Sequence, residues 1–315
     1  MQVTTRTQLS FILRTIVALC LVGVAALVVF GIVGAIGAFL GWYGLGYVLG
    51  LFGMATGDET RFYVFLERSG VWLLATFVIL AIIWSAHRAR VAVNEFRSAL
   101  LADADTDSDV LSDRVRKLAI QANTPTPAVQ VLDVDDPVTF TLGSGGDATI
   151  VVSCSIIDRL DNNELDAVLA HELAHLKNHD TRIIASALLP LLVVDELSPD
   201  RPAGGIGELI TYAIGIVLST YIQFSVALLS RGREGAADIA AARIVGSPAT
   251  VANALAKLDK EYCTPTMDKR SWAHATSALN ILPVENEQVR TGPFQTHPPT
   301  ETRIERLRSL ERNAK

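Results

Sequence analysis

Four apolar blocks constrain this chain more than any other feature. Residues 9–53 carry a single charge, Arg14, and residues 70–86, 183–194 and 209–229 carry none. About 20 predominantly apolar residues cross a bilayer core, where the backbone must satisfy its own hydrogen bonds, so such blocks become helices. The first block exceeds one span, the second and fourth qualify or nearly do, and the third is short. The third either extends the helix before it or forms part of a hairpin with the fourth. About four transmembrane helices follow, with the first block as one long or tilted span and Trp42, Tyr43 and Tyr47 near an interface. Two tight Gly-rich spans are the alternative, and they would put the N-terminus outside against Arg6 and Arg14. A cleaved signal peptide does not fit: the run is too long and lacks a small-x-small cleavage site.

Basic residues flank the blocks on one side. Arg6 and Arg14 precede the first or open it, and Arg88, Arg90 and Arg97 follow the second. Lys177 and Arg182 flank the third, and Arg231 and Arg233 follow the fourth, whereas the intervening loops carry Asp58, Glu59, Glu67, Asp195, Glu196 and Asp200. That asymmetry predicts a multi-pass protein of the cell membrane with both termini inside and its remaining segments cytoplasmic. The chain then divides into a transmembrane hairpin (1–97), a first soluble part (98–182), a second membrane hairpin (183–229) and a second soluble part (230–315). The lipid bilayer is the first partner expected; the net charge of −6 argues against nucleic acid. Cys20, Cys154 and Cys263 are widely spaced and odd in number, as suits reduced thiols.

The soluble parts carry the chemistry. Asp161 and Glu164 form a capping-box start for a helix whose Leu165, Val168, Leu169, Leu173 and Leu176 recur at helical spacing. Inside it lies His171-Glu172-Leu173-Ala174-His175. Residues four apart share a helix face, so both histidines can reach one metal ion while Glu172 takes a proton from a bound water. Two histidines and a glutamate among leucines are costly to desolvate without a partner, and a metal supplies one. A catalytic zinc takes three protein ligands and keeps a fourth position open. Glu234 is the candidate third, at the start of an Ala-rich helix reaching about Ile244, with Asp238 one turn on to accept a ligand histidine's free N–H. Read alone, Glu234 and Asp238 also suit a solvated acidic pair balanced by Arg231 and Arg233.

Other patterns lead nowhere. His179 continues the four-residue spacing, but each such step advances about 6 Å along the helix, too far for an ion shared with His171. His87 and His274 have no partner spacing. Asp103, Asp105, Asp107 and Asp109 alternate like a calcium loop, yet its glycine position holds Ser108 and its closing glutamate position holds Arg114. The run reads as an acidic linker capping a helix over 110–123. Val129–Val134, Val138–Leu142 and Thr149–Ser153 read as short strands, with a hairpin loop at 143–147. The last strand is expected to offer an edge to an extended peptide.

Three blocks together resemble the HtpX-type membrane metallopeptidases, relatives of the CAAX prenyl endopeptidases. They are His171-Glu172-x-x-His175 with Leu176-Lys177-Asn178-x-Asp180, then Ser230-Arg231-x-x-Glu234-x-x-Ala237-Asp238, then His297-Pro298-Pro299-x-x-x-Arg303-Ile304. They occur in the family's order across roughly residues 110–310. With the apolar blocks and the short strands, the expected fold is a mostly α membrane protein whose cytoplasmic α+β catalytic domain, with a small β-sheet, is zincin-like by this resemblance. It implies one zinc ion per chain held by His171, His175 and Glu234, with Glu172 as catalytic base and Asp238 orienting the site. His297, stiffened by its prolines, either stabilises the oxyanion or latches the fourth zinc position. Arg303 is expected to pair with Asp238. One segment departs from the family: where many relatives have Asn-Ala-Phe-Ala-x-Gly, this chain has Val138-Thr139-Phe140-Thr141-Leu142-Gly143. The implied activity is endopeptidase cleavage of membrane-protein or unfolded polypeptide substrates at cytoplasmic segments, in quality control. A prenyl-protein endopeptidase and a non-catalytic membrane adaptor with a structural zinc are the alternatives.

Overall fold

The computed structural model describes residues 5–56, 59–102, 104–105, 109–135, 137–198, 205–260 and 297–314. Asp58, Asp103, Asp107, Ser108, Asp200, Cys263 and His274 lie outside them. The chain falls into two compact units. One comprises Met1–Leu19, Val93–Ser186 and Gln223–Lys315; the other comprises Cys20–Ala92 and Ala187–Ile222.

The second unit holds most of the apolar blocks. The first block forms part of one helix, α1 (Thr5–Thr56), and the second lies in α2 (Glu59–Ala102). Within α1 the apolar stretch Thr15–Val48 is 34 residues long. At 1.5 Å per residue that is about 51 Å, longer than a bilayer core of about 30 Å. Glycine lets the two helices approach closely: a Cβ added to Gly37 would lie 2.5 Å from Phe77 Cγ, and one added to Gly34 would collide with Val78 Cγ2.

Among the described residues three helices, not four, are long and apolar enough to cross a membrane: α1, α2 through Ser69–Arg88, and a later helix, Ile206–Ile244. The short third block forms part of α6 (Asp180–Leu197), whose 18 residues include Pro190 and, near the ends, Asp180, Arg182, Asp195 and Glu196. Charges at both ends leave too short an apolar core for a span.

In the first unit, α3 (Asp109–Ala122) buries Leu111, Val115, Leu118, Ala119 and Ala122 at helical spacing. It stops where Asn123 turns to φ 51°. A four-stranded sheet is built from β1 (Ala104–Asp105), β2 (Ala128–Leu132), β3 (Thr139–Leu142) and β4 (Thr149–Ser153) in the order β1-β2-β4-β3. The β3–β4 hairpin turns through Gly143 (φ 76°) and Gly145 (φ 61°), a conformation that favours glycine. β4 pairs in parallel with β2 and antiparallel with β3, so it is internal. The edge expected for Thr149–Ser153 therefore belongs to β3, because the long-range β2–β4 pairing occupies the other side of β4.

α4 (Cys154–Arg159) leads into α5 (Asn162–Lys177), which opens on the capping box. Asp161 Oδ1 accepts from Asn163 N and Glu164 N, and Glu164 Oε2 accepts from Asp161 N. The helix ends at Asn178, and His179 takes φ 57° before α6 begins. The third apolar block thus starts a new helix instead of prolonging the zinc-motif helix.

The fourth block and the Ala-rich segment form one helix, α7 (Ile206–Ile244). Glu234 is accordingly interior to a 39-residue helix, not at the start of a separate one. No proline interrupts the segment, and Gly232 and Gly235 are tolerated inside it at about 1 kcal/mol each. Gly246, at φ 77°, closes α7. Ser247 Oγ then accepts from Thr250 N, and Pro248 opens α8 (Pro248–Lys260). The last described helix is α9 (Thr300–Ala314).

Alternation along the strands decides which side chains meet α5. Phe140, Leu142, Val151 and Leu132 form a small cluster on one face of the sheet. Ile150 and Val152 face the other way, into the main core. There they join Leu111, Val115 and Leu118 of α3, Leu169 and Leu173 of α5, Leu255 and Leu258 of α8, and Leu307 of α9. Thr141 pairs in register with Ile150, and Thr139 with Val152, which places both threonines on the α5 side of the edge strand.

Candidate metal centre

α5 and α7 build the centre from residues four apart. His171 and His175 project from one face of α5, and their Nε2 atoms lie 3.0 Å apart. Glu234 on α7 meets both: Oε2 is 3.5 Å from His171 Nε2, and Oε1 is 3.4 Å from His175 Nε2. One turn further along α7, Asp238 Oδ1 lies 3.2 Å from His171 Nδ1. Arg303, on α9, donates from Nε and Nη2 to the two oxygens of Asp238 at 2.9 and 2.7 Å. Its Nη2 is also 3.2 Å from Glu234 Oε2. Pro298 and Pro299 lead into α9 and bring His297 to the same place, with Nδ1 3.5 Å from Glu234 Oε1.

The second histidine has a matching support. Asp180, brought back by the turn at Asn178 and His179, lies 2.6 Å from His175 Nδ1. Arg233 pairs with Asp180 and donates to the backbone carbonyl of Asn178 at 2.9 Å. Glu172 points into the sheet side of α5, where Thr141 Oγ1 donates to its Oε2 at 2.9 Å. Sequence reasoning misses these roles of Asp180, Arg233 and Thr141. The signal for Asp180 is its place in the block after His175; nothing in the spacing of Arg233 or Thr141 marks them.

These donors fit a metal ion. A neutral imidazole carries one N–H, and a carboxylate facing Nδ1 fixes the proton there. An aspartate near each Nδ1 favours the tautomer protonated there, which turns both Nε2 lone pairs toward the 3.0 Å gap between them. Two lone pairs and a carboxylate oxygen converging in a buried space repel unless a cation lies among them. His171, His175 and Glu234 offer ligand atoms all within 4.8 Å of one another. Donors about 2.0–2.1 Å from a tetrahedral zinc are separated by about 3.3 Å, close to these three edges. Glu172 Oε1 is buried without a hydrogen bond, as a polar group reserved for another partner would be.

Burial and charge set the protonation of the groups around it. Burial pushes the Glu172 carboxyl above the ordinary carboxylate range, against the pull of His175, His171 and the Thr141 hydroxyl. Burial acts to lower His175, but hydrogen bonding and charge from Glu234, with the charge of Glu172, outweigh it and raise the ring above its usual value. The Arg303 guanidinium stays charged: burial disfavours its charge, yet Asp238 and Glu234 hold its pKa above the usual range. His179 is exposed in the turn and is not among the metal-binding group.

The sequence model of peptidase family M48 matches residues 106–311, which contain every residue of this centre. The chain belongs to peptidase family M48. Within that family it is of the HtpX type. The protease HtpX homolog of Pyrococcus abyssi is 34% identical over 213 residues, covering 62% of this chain and 71% of that protein. The protease HtpX homolog of Thermococcus kodakarensis is 30% identical over 283 residues, covering 85% of this chain and 90% of that protein. The crystal structure of S. mikatae Ste24p covers 82% of this chain and 63% of its own at 18% identity and a TM-score of 0.41, a likeness too loose to add to the assignment.

Proposed function

We infer that this M48 protease is a zinc-dependent endopeptidase anchored in the cell membrane, cutting membrane-protein or unfolded polypeptide substrates at the cytoplasmic face. The observation that carries the reading is the convergence of two imidazole lone pairs and the Glu234 carboxylate in a buried space beside Glu172. One zinc ion held by His171, His175 and Glu234 supplies a Lewis acid that acidifies water and polarises the scissile carbonyl.

The chain's own residues do the rest. Glu172, its Oε2 tied to Thr141, takes a proton from the attacking water at Oε1 and returns it to the leaving amine. His297, beside Glu234 Oε1, donates an N–H toward the oxyanion that forms at the carbonyl. Asp238 and Asp180 keep the protons of His171 and His175 on Nδ1 and fix the ring planes. Arg303 holds Asp238 ionised, and Arg303 and Arg233 keep the two aspartates in place. The clustering of basic residues beside the apolar blocks supports a cytoplasmic site, and the resemblance to the HtpX-type metallopeptidases motivates extending the reading to membrane-protein quality control.

The test uses the detergent-purified full chain, loaded with zinc, and unfolded casein. Glu172→Gln is expected to retain zinc and lose at least about a hundredfold in cleavage rate. Equal cleavage by both proteins would overturn the assignment of Glu172, and zinc binding without cleavage by the wild type would favour the adaptor.

A further inference from the structure

Thr141 occupies the edge strand at a position where the family pattern carries alanine, a residue with no hydroxyl. Strand alternation turns Phe140 and Leu142 into the small cluster on one face and Thr141 toward α5 on the other. Its hydroxyl donates to Glu172 Oε2 at 2.9 Å, and both residues are buried. The other oxygen, Oε1, has no hydrogen-bond partner.

A glutamate side chain has three rotatable bonds, and a base that samples several rotamers spends little time in reach of the water. A hydroxyl fixed on a strand removes that freedom, because the strand's register with β4 sets where Oγ1 lies. We propose that Thr141 is a positioning residue for the general base, pinning Oε2 of Glu172 so that Oε1 alone is left to accept the proton. The proposal rests on the zinc-peptidase reading above for its catalytic consequence, while the contact itself is independent of metal.

Two readouts on the full chain in detergent separate these levels. In steady-state cleavage by zinc-loaded protein, Thr141→Val is expected to lower kcat about tenfold, the loss of one hydrogen bond to a charged acceptor, with KM and zinc content unchanged. Thr141→Ser, which keeps the hydroxyl, is expected to stay within about twofold of the wild type. In metal-free protein, a double-mutant cycle on Tm reads the contact directly: Thr141→Val is expected to lower Tm beside Glu172 and to have little effect in a Glu172→Leu background. Wild-type kcat in Thr141→Val, an equal fall in Thr141→Ser, or a Tm loss independent of Glu172 would each overturn the proposal. Failure of the zinc-peptidase reading is separate, and registers as no cleavage sensitive to Glu172→Gln in the wild type.

Discussion

The two halves of the metal centre are built alike and buried differently. On one side His171 meets Asp238, which is clamped through both oxygens by Arg303. On the other His175 meets Asp180, which is paired with Arg233. The His171 side chain has no solvent exposure, whereas His175 and Arg233 are 12% and 11% exposed. The first support reaches across the chain to α9, and the second is assembled from the turn after α5 and from the residue beside Glu234. Identical chemistry therefore carries unequal risk: both aspartates are buried, but Arg303 and His171 are sealed with theirs, whereas Arg233 and His175 keep some contact with water.

The largest effect is expected in the sealed half. Arg303→Met leaves Asp238 and Glu234 as buried carboxylates without their cation, and is expected to cost about 3–5 kcal/mol of stability, read by denaturation. Next come the aspartates. Asp238→Asn and Asp180→Asn are each expected to weaken zinc binding by about 10- to 100-fold in competition with a chelator, with Asp238→Asn the more severe. Equal losses would show that burial does not rank the two halves.

Acidity sharpens the same comparison. His175 has a raised pKa in the metal-free protein, so protonation contributes stability that is complete below the unfolded value of about 6.5 and lost as pH rises through the folded value. Zinc requires the neutral ring, so its affinity is expected to run the other way, falling up to about tenfold per pH unit below the folded pKa. Isothermal titration across that window checks the slope. The smallest effect belongs to the open half: Arg233→Gln is expected to weaken zinc binding less than Asp180→Asn does, since the aspartate facing His175 Nδ1 is retained.

The sealed half is largely legible in the sequence, and the open half is not. His171, Glu172 and His175 announce themselves by helical spacing, and Asp161 with Glu164 marks where their helix begins. Glu234, Asp238, His297 and Arg303 stand in blocks whose order matches a family. Asp180 reaches His175 only because His179 adopts a positive φ, a local reversal that apolar periodicity does not encode. The same reversal separates the third apolar block from α5. α7 reads as two elements because glycines and arginines at 231–235 resemble a boundary, although nothing there stops a helix. The place of β4 inside the sheet depends on its parallel pairing with β2, a long-range choice that strand patterns leave open.

The most direct measurement is a zinc titration of chelator-stripped full-length protein, following cleavage of unfolded casein and bound zinc together. If His171, His175 and Glu234 hold a catalytic ion, cleavage vanishes on stripping and returns in proportion to zinc, levelling at one ion per chain. Cleavage that persists in the stripped protein, or zinc uptake unchanged by Glu234→Ala, would contradict it.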